Sequence, residues 1–254
     1  MSEQTSEIFV RTWPLEGAKA TVVITHGAAE HVGRYEHVAQ ALNAAGYAVS
    51  AFDHRGHGRS VGFPGDMGGS IDQVVLDVVA QCVAAKAGSD KVFLLAHSMG
   101  TIFALPAAIE APVGTLSGLI LSGTALAPGP AVIESMTSGE GVPASLISRD
   151  PDVVKAYEDD PLVFKGEMPS ILADQALEAI GKAIDAIGKV TVPVLLLHGV
   201  ADQITSIEGA NMVYAQLVGA DKTLEAYDGL YHEVLNEPEK DKVIADLVAW
   251  LDKH

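Results

Sequence analysis

Ser98 stands in the stretch Ala96-His97-Ser98-Met99-Gly100, where the strand-like run KVFLLAH meets a helical segment. A serine hydroxyl is a weak nucleophile at neutral pH. It attacks carbonyls when a histidine accepts its proton and a carboxylate orients that histidine. Two downstream positions could complete such a set: Asp202 in LLLHGVADQITS and His232 in AYDGLYHEVLNEPEK. The order serine, acid, histidine is the one in which a serine on a strand-to-helix elbow finds its partners. The chemistry would be acyl transfer, which also needs donors for the oxyanion. Met99, at a helix start, and Ala28, in ITHGAAEHVGRY, offer backbone N–H groups, each worth about 3 kcal/mol to a transition state.

Each residue has an ordinary alternative role. Serine is a favoured helix N-cap, aspartate a common turn former, and a loop histidine often only makes local hydrogen bonds. What favours the set is that all three follow strand candidates and lie at the same sheet edge. The elbow is also altered, since Ala96 takes the place of the first of the usual two glycines. One methyl group is a small change there, and Gly100 keeps the close approach of helix to strand.

Other chemistries find less support. His26 and His31 share a glycine-led loop, not the helix of a zinc protease. His54 and His57 lack a matching carboxylate arrangement, and His97 and His198 end strands, where packing and local bonding are the default. No metal is expected. GHGRSVG after Asp53 lacks dinucleotide spacing, no phosphate-loop pattern occurs, and no cofactor is expected.

These residues require a scaffold of short apolar strands alternating with helices. ATVVITH (20–26), YAVSAFD (47–53), KVFLLAH (91–97), LSGLILSG (116–123) and VPVLLLHG (192–199) lack clean polar alternation, as strands buried on both faces do. EIFVRTW and KTLEAYD (222–228) read as outer strands. Ile71, Val74, Val75, Val78, Val79, Cys82 and Val83 form a helical stripe. Ser70 with Gln73 suggests a capping box at its start, and Cys82 reads as core. A last helix is expected over 238–252. The fold class is therefore α/β, a mostly parallel sheet flanked by helices. Residues 1–124 and 190–254 would form the core domain. Residues 125–189, too long for a structureless loop, would form a helical cap.

The chain has 254 residues and a formal net charge of −17. That field repels nucleic acid and anionic lipid headgroups, so membrane contact would be transient and made through an apolar cap surface. No apolar stretch is long enough to span a bilayer. The N-terminal MSEQTSEIFVRTW lacks the pattern of a secretory signal, and the single cysteine excludes an internal disulfide. A cytoplasmic location is expected, and the oligomeric state is left open.

The blocks HGAAEHVGRYEHVAQAL, FDHRGHGRS, AHSMG, DPLVFKG, PVLLLHGVADQIT and YDGLYHEVLNEPEK together resemble the monoacylglycerol lipases and lysophospholipases of the α/β-hydrolase superfamily. The resemblance runs from about Ile24 to Trp250. It implies an α/β-hydrolase fold, Ser98 as nucleophile, Asp202 as acid, His232 as base, and Ala28 and Met99 lining the oxyanion hole. It also implies a lipid-facing cap and places Glu30 and Arg34 near the polar end of a glycerol-like substrate. Ile133, Met136, Leu146 and Ile171 are candidate contacts for an acyl chain. The departures are Ala29, where the family commonly has a second glycine, Ala96 in the elbow, and Leu235, where some members carry a glycerol-binding histidine. The expected function is hydrolysis of monoacylglycerols or related lipid esters. A promiscuous short-acyl carboxylesterase or lysophospholipase is the alternative within the fold, and a ligand-binding receptor with little turnover the alternative outside catalysis. Dehalogenase and epoxide hydrolase chemistry is disfavoured, because it takes an aspartate at the position of Ser98.

Overall fold

Along the strand Val92–His97, Phe93 and Leu95 join one hydrophobic cluster while Leu94 and Ala96 join another. That two-residue alternation with both faces apolar is what a central strand between two helical layers requires. The computed structural model describes residues 8–62, 70–138, 141–166, 171–219 and 221–254, with the backbone alone for 171–174. Its strands are β1 (Val10–Trp13), β2 (Thr21–Thr25), β3 (Ala48–Phe52), β4 (Val92–His97), β5 (Gly118–Ser122), β6 (Val194–Gly199) and β7 (Lys222–Tyr227). They form one sheet in the order β1-β3-β2-β4-β5-β6-β7. Only β1 runs antiparallel, on β3; the other pairs are parallel. β1 and β7 are the edges, as their more polar sequences require.

The helices are α1 (Glu36–Ala44), α2 (Ile71–Lys86), α3 (Met99–Glu110), α4 (Pro130–Ser138), α5 (Pro151–Asp159), α6 (Ile171–Ile187), α7 (Ile207–Gln216) and α8 (Lys240–Leu251). α1 and α8 cover one face through Val38, Leu42, Val243, Leu247 and Leu251. α2, α3, α6 and α7 cover the other. Cys82 is a buried member of that layer, and burial pushes its thiol up to about 12, so it is packing and not a reactive group.

Two expectations change. Val83, placed on the buried stripe of α2, is exposed. The capping box does not form: the Ser70 side chain makes no cap bond, and Gln73 donates to Asp77 at 3.1 Å instead. Ala179, Ala183, Ala186 and Ile187 of α6 are buried in the same cluster as α3, so this helix, within the expected 125–189 segment, also packs on the covering layer.

The strand order sets where chemistry can occur. The chain builds outward from β2 to β3, then returns past β2 to lay down β4. The carboxyl ends of β2 and β4 therefore lie side by side at the reversal point, where open α/β sheets bind ligands. Thr25 pairs with Ala96, so the loop after β2 and the elbow after β4 are neighbours.

Candidate active site

Ser98 has φ 51° and ψ −122°, a left-handed conformation that costs a non-glycine residue energy. It persists because the surroundings over-determine it. The Ser98 N–H donates to Ser122 O at 2.9 Å, and the Thr101 hydroxyl and N–H both donate to Ser98 O. The side chain makes no helix-cap bond, which removes the ordinary alternative. Instead Ser98 Oγ lies 2.9 Å from His232 Nε2.

Gly100 explains how the helix comes so near. A Cβ added there would stand 2.8 Å from the carbonyl oxygens of both Thr25 and His26. These are backbone atoms and cannot swing away. Gly100→Ala is therefore expected to lose about 1–3 kcal/mol of stability, as overpacked sites do; an unchanged urea midpoint would contradict this close approach. Ala96, fully buried, carries its methyl without such conflict.

His232 sits in the loop after β7 and Asp202 in the loop after β6. β6 and the edge strand β7 are in register, with Gly199 opposite Tyr227, so their following loops converge. His232 Nδ1 lies 2.8 Å from Asp202 Oδ2. Asp202 is fixed in turn by the N–H groups of Ile204 and Thr205 on Oδ1, at 2.8 and 3.0 Å, and by the Thr205 hydroxyl on Oδ2 at 2.8 Å. Burial opposes its charge, yet His232 and these donors hold Asp202 down to about 2. For His232 the balance runs the other way. Burial is the largest single influence and disfavours the charged ring, but the Asp202 carboxylate outweighs it and raises the imidazole above its ordinary value. Burial and then the neighbouring His232 push His97 down to about 4, so that ring stays neutral beside the site.

The loop after β2 offers the second N–H. Ala28 is exposed, and among the described residues no acceptor takes its N–H or that of Met99. The Gly27–Ala28 peptide is pinned on its other side, since His26 Nδ1–H donates to Gly27 O at 2.7 Å. The His54 N–H donates to His26 Nε2 and so sets that tautomer. Because C=O and N–H point oppositely across a trans peptide, holding Gly27 O aims the Ala28 N–H. Gly27 leaves little room for a side chain: a Cβ would lie 3.0 Å from both Glu30 Oε1 and Ser98 Cβ. Ala29, where a glycine would fit more easily, is held at φ 63°.

Glu30 is buried, and the side chain of the half-buried Arg34 is turned inward onto it. Glu30 Oε1 accepts from Gly27 N–H and from the Tyr35 hydroxyl, while Oε2 accepts from Arg34. Arg34 makes a two-pronged pair with Glu233, at 2.6 and 2.7 Å. Both side chains are thus ion-paired within the protein. Arg34 also borders a cavity of about 340 Å³ with His37, Asp160 and Lys240, whose lining includes none of Ser98, Asp202 and His232. Among the expected acyl contacts, Ile133 and Met136 are exposed on α4. The start of α4 is bonded to the Asp202 loop through Gly129 N–H to Ile204 O and Ala131 N–H to Gln203 O. Leu146 is half-buried, and the Ile171 side chain lies outside the described residues.

Thr205 and Glu233 were not singled out from sequence. Thr205 had a signal, a hydroxyl residue three positions after a turn aspartate; Glu233 had only its place beside His232. Among the described residues no cluster of His, Cys, Asp and Glu has the makings of a metal site, and no helix is long and apolar enough to cross a membrane.

Residues 16–239 match the family described as serine aminopeptidase, S33. A monoacylglycerol lipase of Mycolicibacterium smegmatis is 36% identical, over 93% of this chain and 89% of its own. A monoglyceride lipase of Mus musculus is 33% identical, over 96% and 86%. The crystal structure of a Paleococcus ferrophilus monoacylglycerol lipase superposes with a TM-score of 0.82 at 31% identity, covering 96% of this chain and 98% of that one.

Proposed function

This chain belongs to the serine aminopeptidase, S33, family of α/β-hydrolases, among the monoacylglycerol lipases, and on that premise we propose that it hydrolyses monoacylglycerols and related carboxylic esters. The observation that carries the assignment to residues is the hydrogen-bonded line from Ser98 Oγ through His232 to Asp202. Ser98 Oγ attacks the ester carbonyl carbon as its proton passes to His232 Nε2. The oxyanion is met by the N–H groups of Ala28 and Met99. Collapse expels the alcohol, which takes the proton back from His232 and leaves an acyl-enzyme on Ser98. Water, deprotonated by the same nitrogen, then releases the acid and restores the hydroxyl. No cofactor takes part in this sequence.

The base works only when neutral. Its raised proton affinity puts the acid limb of kcat/KM above the ordinary imidazole range, with activity lost as pH falls through it. A pH profile on a non-ionising ester checks this. A limb below the ordinary imidazole range would separate the base from His232 as Asp202 holds it.

Ile133 and Met136 on α4 support transient contact of the segment after β5 with a lipid surface. The lone, free and buried cysteine fits a reducing, cytoplasmic setting. Rates across monoacylglycerols of increasing chain length, beside glycerol-free aryl esters and aminoacyl amides, test the substrate class. Preference for the glycerol esters is expected. Equal rates on short aryl esters would make the protein a general carboxylesterase.

A further inference from the structure

We propose that Arg34 is a positioning residue that locks the oxyanion loop to the loop carrying the base. The inference rests on the reading of Ser98 and His232 given above. Three otherwise separate parts of the chain meet on this one buried guanidinium. Glu30 connects it to the oxyanion loop, accepting from Arg34 through one oxygen and from Gly27 N–H, at 2.7 Å, through the other. Glu233, the residue after His232, connects it to the base loop by the paired bonds at 2.6 and 2.7 Å. Tyr157 of α5 lies under the guanidinium, 4.8 Å from ring centre to Cζ. All three ion-pairing side chains are less than a tenth exposed, so little water competes for these bonds.

The clamp has a backing on the base side. Glu233 N–H donates to Ile147 O, and Asn236 Nδ2 donates to Glu233 Oε2. With Glu233 held from both sides, the ring of His232 has little freedom to drift from the elbow. An acyl transfer needs Ser98, His232 Nε2 and the Ala28 N–H set relative to one another within a fraction of an ångström. No strand pairing joins the loop after β2 to the loop after β7, because β4, β5 and β6 lie between those strands. The Glu30–Arg34–Glu233 bridge supplies that missing link directly.

It also carries charge toward the base. The groups facing His232 are Asp202, Thr205 and His198 from β6 and its loop, His97 and Ser98 from β4 and the elbow, Glu30 from the loop after β2, and Glu233 beside it. Glu30 and Glu233 favour the protonated ring, and both are ion-paired to Arg34, whose positive charge opposes theirs. Removing either half of the pair should therefore move the base in opposite directions, which mere loosening of the fold would not do.

The test compares Arg34→Lys, Arg34→Met, Glu233→Gln and the double variant Arg34→Met/Glu233→Gln in full kinetics from pH 5 to 9, with thermal melts alongside. The lysine keeps charge but loses the two-pronged geometry. It is expected to lower kcat about tenfold while KM stays within about twofold. The acid limb should move up in pH for Arg34→Met and down for Glu233→Gln, and the double variant should return it toward the parent. Should Arg34→Met fail to fold, Arg34→Lys and Glu233→Gln carry the same decision. Parent kcat and an unmoved limb in folded Arg34→Lys and Glu233→Gln would overturn the proposal. A rise in KM alone would overturn it too, making Arg34 a substrate contact. Ser98→Ala run in parallel separates the two readings: activity surviving there sinks the nucleophile assignment, whatever the Arg34 variants do.

Discussion

Replacing Ser98 with alanine is expected to lower kcat on ester substrates about a million-fold while the protein folds as before, the scale seen when the nucleophile of such a set is removed. The fold should survive because the substitution leaves the backbone with no new burden. Serine already sits at φ 51° with its Cβ, and alanine asks for nothing more. The bonds that impose this conformation, from Ser98 N–H to Ser122 O and from Thr101 to Ser98 O, are all main-chain at residue 98. Only the hydroxyl is lost, and with it the bond to His232 Nε2. Residual turnover would come from the remaining N–H donors and from binding. A fluorophosphonate probe should label the parent at Ser98 and leave the variant untouched. Retention of most hydrolysis by a folded variant would place the nucleophile elsewhere, and failure of the parent to label would favour a ligand-binding role without turnover.

Asp202→Asn is expected to cost about ten-thousand-fold in kcat with the geometry kept, a tautomer effect more than a structural one. The backbone N–H groups of Ile204 and Thr205 hold one oxygen of residue 202, and an asparagine would leave its carbonyl there. Its NH2 group would then replace the oxygen that faces His232 Nδ1. An N–H donor in that place forces the ring proton onto Nε2, the nitrogen that must accept from Ser98. The variant should also lose the charge that raises His232, so any residual activity should show its acid limb at lower pH. Stability follows a definite sign. Asp202, held down to about 2, contributes stability above the ordinary carboxylate range that disappears as pH falls toward that value. The parent's advantage over Asp202→Asn should therefore shrink in acid. The converse holds for His232: its raised affinity stabilises the fold below the ordinary imidazole range and ceases to do so as pH rises through the raised value. A variant with near-parent kcat would show that Asp202 does not orient the base.

Much of this arrangement was legible because it rests on short-range patterns. Strand runs such as KVFLLAH and VPVLLLHG differ from β4 and β6 by no more than two residues at either end, since strands buried on both faces permit few other readings. The edge where the strands end was equally readable, and it brings Ser98, Asp202 and His232 together. The features that escaped depend on partners far apart in the chain. Arg34 and Glu233 are 199 residues apart, and nothing local to either announces the pair. The resemblance put Glu30 and Arg34 near the polar end of a substrate, but the ion pairs of Arg34 with Glu30 and with Glu233 could not be seen in a loop sequence. Ser70 and Gln73 had the spacing of a capping box, but Asp77 competes for the glutamine and takes it. The packing of α6 escaped for a different reason. An amphipathic helix reads alike whether it covers a sheet or a substrate. The buried stripe Ala179, Ala183 and Ala186 was the available sign that α6 packs closely on a neighbouring helix.

The residues between α4 and α6 bear on how this protein could be re-engineered. Phe164 N–H donates to Ala29 O beside the oxyanion donor, and Asp160 accepts from His31. Ile147 O holds the Glu233 N–H, and Arg149 reaches Glu237 and Glu239 ahead of α8. A segment sewn at both ends to the two loops that do the chemistry is not an interchangeable module. A chimera that imports this stretch from another hydrolase would cut the stitches that tie it to the oxyanion loop and the base loop. Swaps should succeed when they leave Ile147, Arg149, Tyr157, Asp160 and Phe164 in place, or when Ala29, His31, Glu233 and Glu237 travel with their partners; grafts that ignore them should fold and bind yet turn over slowly.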